Sequence, residues 1–175
     1  MRPLRSSRAG FTIVELMVTI SLAAILLAVA IPSFRQMIAS NRLTTQINDF
    51  VSAVNFARSE AITRNLNVSF CRVDDPEDDE CSTDDGVWRN WIVLGSNGTV
   101  MRRGEVTDAS GISVSSTLTS DQIVFGANGL STTGGLLVSD SQITVCSDMA
   151  TGTNIRQITL GAGSRITTEK LSGAC

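Results

Sequence analysis

The hydrophobic positions of the chain follow three patterns, one after another. Residues 11–31 are almost uniformly apolar, with Glu15 as the one charged residue. From Phe34 to about Arg64, apolar residues recur every three or four positions with charged residues between them, which is typical of an amphipathic helix. From residue 66 onwards, short β-prone runs alternate with Gly, Asn, Asp and Ser. The sequence therefore predicts an α+β fold, in which one long N-terminal helix packs on an antiparallel β domain.

The apolar run is long enough to cross a bilayer, because its 21 residues at about 1.5 Å each span roughly 31 Å. Arg2, Arg5 and Arg8 precede it, and positive charge favours the cytoplasmic side of a membrane. We therefore expect residues 11–31 to cross the membrane once and the rest of the chain to be exported.

Two other readings of this N-terminus stay open. A cleaved secretory signal has the same order of basic and apolar residues, with Ala28-Val29-Ala30 as the cleavage site. A plain single-pass anchor is the other. Glu15 argues against both, because a carboxylate in the middle of a membrane helix costs about 2.5 to 3.5 kcal/mol, and less near its end. A retained buried charge needs a partner.

The segment Gly10-Phe11-Thr12-Ile13-Val14-Glu15 resembles the prepilin peptidase site of type IV pilins and pseudopilins, which is followed by an apolar helix and a proline, here Pro32. The resemblance implies a pilin-like fold, removal of leader residues 1–10 by prepilin peptidase, and N-methylation of Phe11. It implies that the helix stays as an inner-membrane anchor and later forms the filament core. It also implies that Glu15 neutralises the terminal ammonium of a neighbouring Phe11 during assembly.

Pro32 should bend or locally loosen the helix, because proline lacks the amide hydrogen that a helix interior uses. Residues 32–65 form the amphipathic second half, and we expect its apolar face to pack on the β domain. A coiled-coil seam is the alternative, but the apolar spacing drifts from strict heptads.

A narrower resemblance lies at the end of this helix. Residues 57–65, followed by residues 68–71, are similar to the signature of the GspH/FimT/FimU branch of minor pilins and pseudopilins. Helical spacing also predicts an ion pair between Glu60 and Arg64. A solvated helix face explains these charges equally well, so we assign them no binding role.

Residues 66–175 are expected to form the periplasmic β domain. Gly95-Ser96-Asn97-Gly98 is a hairpin signal, since Asn-Gly tolerates the positive φ of tight turns, and Asn128-Gly129 is a second candidate turn. The predicted strands are residues 67–71, 91–94, 99–102, 112–115, 122–125, 136–138, 142–146, 155–160 and 165–169.

Four cysteines lie in the part expected to be exported, where oxidation favours disulfides, and they allow three pairings. We favour Cys71 with Cys81 and Cys146 with Cys175. The first pair would close an acidic loop and the second would fasten the last residue to a strand, each adding about 2 to 4 kcal/mol. A zinc site of all four cysteines is the alternative, but no C-x-x-C pair is present.

Residues 74–85 contain eight carboxylates in twelve positions. Such a run is typical of a solvated, self-repelling loop. Calcium or a basic partner pilin are the alternatives, although the spacing matches no EF-hand loop. The Arg102-Arg103 pair is balanced by Glu105 and Asp108 and is interpreted as ordinary surface.

The composition of the chain argues against a catalytic function and against DNA binding. The chain has no histidine and only one lysine, Lys170, so histidine triads, histidine metal sites and Walker-type loops are absent, and we expect no cofactor and no metal. Removing the leader leaves 11 basic and 17 acidic residues, a net charge of −6. The C-terminal Gly-Arg-x-Arg motif of DNA-binding relatives corresponds to Ser164-Arg165-Ile166-Thr167, which lacks the glycine and the second arginine. We therefore expect no nucleic-acid partner.

The resemblance implies three alternative functions. The first is a FimU-like minor pilin that joins other minor pilins, primes assembly of the major pilin and ends at the pilus tip. The second is a FimT-like pilin for DNA uptake, and the third is a GspH-like pseudopilin of type II secretion. Two disulfides favour a subunit exposed outside the cell, so we favour the first.

Overall fold

The computed structural model describes residues 10–106 and 111–175. Of the predicted leader, only Gly10 belongs to the described residues, and Asp108 also lies outside them. The chain divides into two compact units, Met1–Arg35 and Gln36–Cys175.

One helix, α1, spans Ile13–Arg64, which confirms the predicted single helix and its end. Its last turn closes at Asn65, which has a φ of +53°. The Leu66 amide donates to the Ala61 carbonyl at 3.3 Å, which is the Schellman pattern of a helix C-terminus. The helix continues through Pro32 without interruption, and the bend expected there stays a prediction.

Ten strands form two antiparallel sheets in the unit Gln36–Cys175. The six-stranded sheet has the order β3-β2-β1-β5-β6-β7, and the four-stranded sheet has the order β10-β9-β8-β4. The strands are β1 (Val68–Val73), β2 (Asn90–Gly95), β3 (Val100–Glu105), β4 (Ile112–Ser116), β5 (Gln122–Phe125), β6 (Ser131–Thr133), β7 (Leu136–Leu137), β8 (Asp140–Ser147), β9 (Ile155–Gly161) and β10 (Arg165–Leu171).

All nine predicted strands are present, with ends that differ by a few residues. The strand that the sequence missed is β6, because its three residues are polar and show no alternation. Both predicted turns are confirmed. The Gly98 amide donates to the Gly95 carbonyl at 2.9 Å, and the Gly129 amide donates to the Gly126 carbonyl at 2.8 Å.

The second half of α1 forms the centre of the core. Its buried apolar residues are Ala39, Leu43, Ile47, Phe50, Ala53, Val54, Ala57 and Ala61. The Phe50 ring lies 5.9 Å from Phe70, 5.7 Å from Trp88 and 6.2 Å from Trp91 between ring centroids. These contacts confirm the intramolecular core over the coiled-coil seam.

Some apolar positions of the predicted stripe are not in this core. Phe34, Met37 and Ile62 are all more than half exposed. The stripe therefore extends beyond the part of the helix face that the core covers.

Candidate assembly site

The predicted processing site lies immediately before α1. Gly10 and Phe11 are outside the helix, and the Phe11 side chain is 82% exposed. A Cβ atom added at Gly10 would meet nothing within 4 Å. The backbone on both sides of the expected cut is therefore free of helical hydrogen bonds, as a peptidase substrate requires.

Thr12 caps the helix two residues after the expected cut. The Glu15 amide donates to Thr12 Oγ1 at 3.2 Å, and the Leu16 amide donates to the Thr12 carbonyl at 3.1 Å. Thr12-x-x-Glu15 is the capping-box spacing, with Glu15 at the third helical position. The sequence analysis missed this role, although the pattern was visible in the motif.

The Glu15 carboxylate is exposed and forms no hydrogen bond or ion pair with any of the residues that the structure describes. The helix N-terminus favours a negative charge at this position, because its amides carry a partial positive charge. Glu15 therefore presents a carboxylate that is unpaired among the described residues, four residues after Phe11.

The apolar part of α1 is exposed among the residues that the structure describes. Its large side chains between Ile13 and Ile31 are 48–79% exposed. The helix contains a segment that is long and apolar enough to cross a membrane.

The two disulfides have the pairing that the sequence analysis favoured. Cys71 and Cys81 have Cα atoms 5.6 Å apart, and so do Cys146 and Cys175. Because all four cysteine sulfurs are in disulfides, no thiolate is left for the four-cysteine zinc site.

The acidic loop, residues 74–86, is held from one side by Arg72. This guanidinium is buried and donates to Asp121 Oδ2 at 3.1 Å, to the Asp84 carbonyl at 2.6 Å and to the Asp74 carboxylate. Asp121 is also buried and accepts from the Gly86 amide at 2.8 Å. The hydrogen bond from Arg72, together with one from Ser82, holds the pKa of Asp74 below its ordinary value.

Arg103 holds the same loop from another side. Its guanidinium donates to the Pro76 carbonyl at 2.9 Å, to the Asp78 carbonyl at 2.5 Å and to the Asp79 carboxylate. Arg103 is exposed, as predicted, and these hydrogen bonds give it a structural role that the sequence did not predict. The loop is solvated, as predicted, but it is tied to the body. Among the described residues, no three acidic, cysteine or histidine side chains are arranged to hold a metal ion.

The two remaining motif regions, at residues 57–65 and 164–167, make structural contacts. Glu60 and Arg64 form the predicted ion pair. Ser164 is buried in the turn before β10, where its hydroxyl accepts from the Ser131 amide at 2.7 Å and its carbonyl accepts from Arg58 at 3.1 Å. Of the positions corresponding to the DNA-binding motif, Arg165 alone offers an exposed cation.

Solved structures of a minor pilin and of a minor pseudopilin match this fold. The type IV minor pilin FimU of Pseudomonas aeruginosa matches with a TM-score of 0.54 and 17% identity, over 74% of this chain and 90% of that one. The minor pseudopilin EpsH from the type 2 secretion system of Vibrio cholerae matches with a TM-score of 0.52 and 9% identity, over 74% of this chain and 97% of that one. At these identities the likeness shows the fold.

The sequence itself shows the family. No match was found among curated protein sequences. The prokaryotic N-terminal methylation motif matches residues 5–31. The model of type II transport protein GspH matches residues 46–164, more than half of the chain, so the chain belongs to the GspH family and is a minor pilin or pseudopilin of the GspH/FimU type.

Proposed function

We propose that this protein is a minor pilin that joins other minor pilins in a small priming complex, initiates type IV pilus assembly and ends at the pilus tip. Prepilin peptidase removes residues 1–10, and residues 11–31 hold the processed subunit in the inner membrane. The unit Gln36–Cys175 then lies in the periplasm, where its surface selects neighbouring subunits.

One observation carries the proposal. The Glu15 carboxylate stands in the first turn of a capped, uncovered apolar helix and has no partner among the described residues. Such a helix is stable in a bilayer or among identical helices, and a carboxylate buried there needs a cation. The terminal ammonium of a neighbouring Phe11 supplies that cation in a helical bundle of subunits.

The choice of a pilus rests on the two disulfides. A filament exposed outside the cell meets proteases and denaturing conditions, and cross-links that constrain the unfolded chain stabilise a small domain against them. Both disulfides lie in the unit that carries the subunit contacts in this proposal.

A second candidate is a pseudopilin of type II secretion. The family model is described as a type II transport protein, and EpsH comes from such a system. Processing site, anchor helix and body serve this function equally well.

The test is the amount of major pilin in surface-sheared fractions from cells with and without the gene. We expect surface pili to be lost on deletion and restored by complementation. Wild-type piliation would contradict the priming function, and secretion of folded enzymes and transformation frequency would then separate secretion from DNA uptake.

Substitution of Gly10 should leave the leader attached, which intact mass would detect.

A further inference from the structure

A small recess lies between the second half of α1 and the end of β10. Its volume is about 130 Å³. Thr44 and Asn48 line it from the helix, and Arg156, Thr168, Glu169 and Lys170 line it from β9 and β10. Two cations therefore share this opening with one carboxylate, two hydroxyls and an amide.

Arg156 is a buried cation without a counter-ion. The residue is 5% exposed, and its Nη1 donates to the Thr153 carbonyl at 2.7 Å and to the Ile155 carbonyl at 3.0 Å. Its Nε has no acceptor, and no carboxylate of the described residues forms an ion pair with it. A buried charge in this state is costly, and an anion in the recess would lower that cost.

The strand register places a second cation beside it. Lys170 stands directly opposite Arg156 in the antiparallel pairing of β9 and β10, so both side chains leave the sheet on the same face. Like charges in this position repel each other, and Lys170 has no ion pair among the described residues. Glu169 also lines the recess, but it forms no ion pair with either cation.

We propose that this recess receives the carboxylate of an Asp or Glu side chain of a neighbouring pilin subunit. The inference rests on the proposed function, since it names a contact by which the body selects a partner. A single carboxylate fits the volume and can accept hydrogen bonds from Lys170, Asn48 and the Thr168 hydroxyl, whereas the Thr44 hydroxyl already donates to the Ser40 carbonyl. The net charge of −6 on the processed chain repels a polyanion such as DNA, but a lone carboxylate on a docking protein meets mainly the local cations.

Cross-linking through Lys170 can test this contact, because Lys170 is the only lysine in the chain and any adduct at a lysine side chain must involve it. A water-soluble carbodiimide activates a carboxylate, and the lysine amine then displaces the activating group to form an amide. Applied to intact cells that make the full-length protein and its partner pilins, it should join Lys170 to an Asp or Glu of another pilin, identified by peptide mass spectrometry. Lys170→Arg keeps the charge but lacks the reactive amine, so this adduct should disappear while incorporation into sheared filaments stays normal.

Charge reversal tests the energetic role. Lys170→Glu should reduce incorporation about tenfold. Arg165→Glu is the matched control, because it makes the same charge change at an exposed position of the same strand, away from the recess, and it should stay within about twofold of wild type. Equal thermal midpoints of both variants and wild type in detergent would show that the body still folds.

Four outcomes would overturn the inference. The first two are normal incorporation of Lys170→Glu and the absence of any adduct between Lys170 and another pilin. The third is that sodium phosphate stabilises the purified chain more than sodium chloride does while no such adduct forms. The fourth is that the protein is retained on double-stranded DNA and that Lys170→Glu abolishes this retention. The proposed function fails separately, when deletion of the whole gene leaves surface piliation unchanged.

Discussion

Among single residues, Glu15 has both an observed role at the helix terminus and the proposed role in assembly. Its amide takes part in the Thr12 cap, whereas its carboxylate is free among the described residues. Glu15→Ala keeps the amide and removes the carboxylate. We expect normal processing by intact mass and at least about a tenfold loss from sheared filaments, since an unpaired buried ammonium costs several kcal/mol.

The control for this variant is Glu60→Ala, which removes an exposed i,i+4 pair with Arg64 worth about 0.3 to 0.5 kcal/mol. It should assemble normally. Wild-type incorporation of Glu15→Ala would refute the pairing role.

Gly104 is required by close packing. It lies opposite Trp91 in the pairing of β2 and β3, and a Cβ atom added to it would lie 2.1 Å from Trp91 Cζ2. Gly104→Ala must push the indole ring out of place and should lower the free energy of unfolding by about 1 to 3 kcal/mol. Urea denaturation followed by far-ultraviolet circular dichroism measures this change.

Gly161→Ala is the matched control, since the nearest atom to its Cβ would be the Arg165 carbonyl oxygen at 3.8 Å. Its stability should be unchanged or slightly higher, because alanine restricts the unfolded chain. Equal free energies of unfolding for the two variants would show that the Trp91 ring can move aside without a loss of stability.

Among the elements, the acidic loop contributes to the stability of the protein in a pH-dependent way, because Asp74 can gain a proton. The folded-state pKa of Asp74 is lowered, mainly by the Arg72 hydrogen bond, so its contribution is complete above the ordinary aspartate pKa of about 3.9 and is lost as pH falls through the folded value. Asp74→Asn should therefore be slightly less stable than wild type at pH 7, and the difference should be smaller at about pH 2.

Urea midpoints at both pH values test this expectation. Glu80→Gln, in the same loop and without a hydrogen bond to Arg72, should show no such pH-dependent difference. If the stability difference between Asp74→Asn and wild type were as large at about pH 2 as at pH 7, the substitution would act through packing and not through the charge of Asp74.

The two disulfides should differ in their effect on stability. They close loops of 10 and 29 residues, for which chain entropy gives about 2.7 and about 3.6 kcal/mol. Replacing Cys146 and Cys175 by serine should therefore lower the thermal midpoint more than replacing Cys71 and Cys81. Arg72 and Arg103 still hold the first loop after its cross-link is removed, which enlarges the difference. A larger loss for the Cys71 and Cys81 pair would contradict this account.

Elements with strong local patterns could be predicted from the sequence. The helix, nine strands and two turns follow from apolar periodicity and from Asn-Gly pairs, all of which act over a few residues. The anchoring of the acidic loop could not be predicted, because Arg72 and Asp121 are 49 positions apart and come together only when β1 lies beside β5. The register that places Lys170 opposite Arg156 depends on the β9–β10 turn in the same way.

At the scale of the whole molecule, net charge decides which macromolecules can bind. The processed chain has a net charge of −6, and affinity for DNA comes chiefly from cations that neutralise phosphates. We expect the purified full-length protein in detergent not to be retained on double-stranded DNA at about 150 mM salt. Retention that weakens steeply with salt would contradict this expectation and favour DNA uptake.

Family and processing could be predicted at this scale because the motif is contiguous, from Gly10 to Glu15. The proposed partner-binding surface could not be predicted from the sequence, because the recess at Arg156 combines residues from α1, β9 and β10 that are far apart along the chain. A buried arginine without a counter-ion becomes visible only after folding.

The aromatic cluster around Phe50 also has an optical consequence. Trp88 and Trp91 are the chain's two tryptophans, the chain has no tyrosine, and both indoles are 2% exposed against Phe50 and Phe70. Intrinsic fluorescence therefore arises from a single place, the junction between α1 and the six-stranded sheet. A red shift of this emission would report water entering that junction, so the purified subunit carries an unlabelled sensor of whether its helix and sheet are still joined.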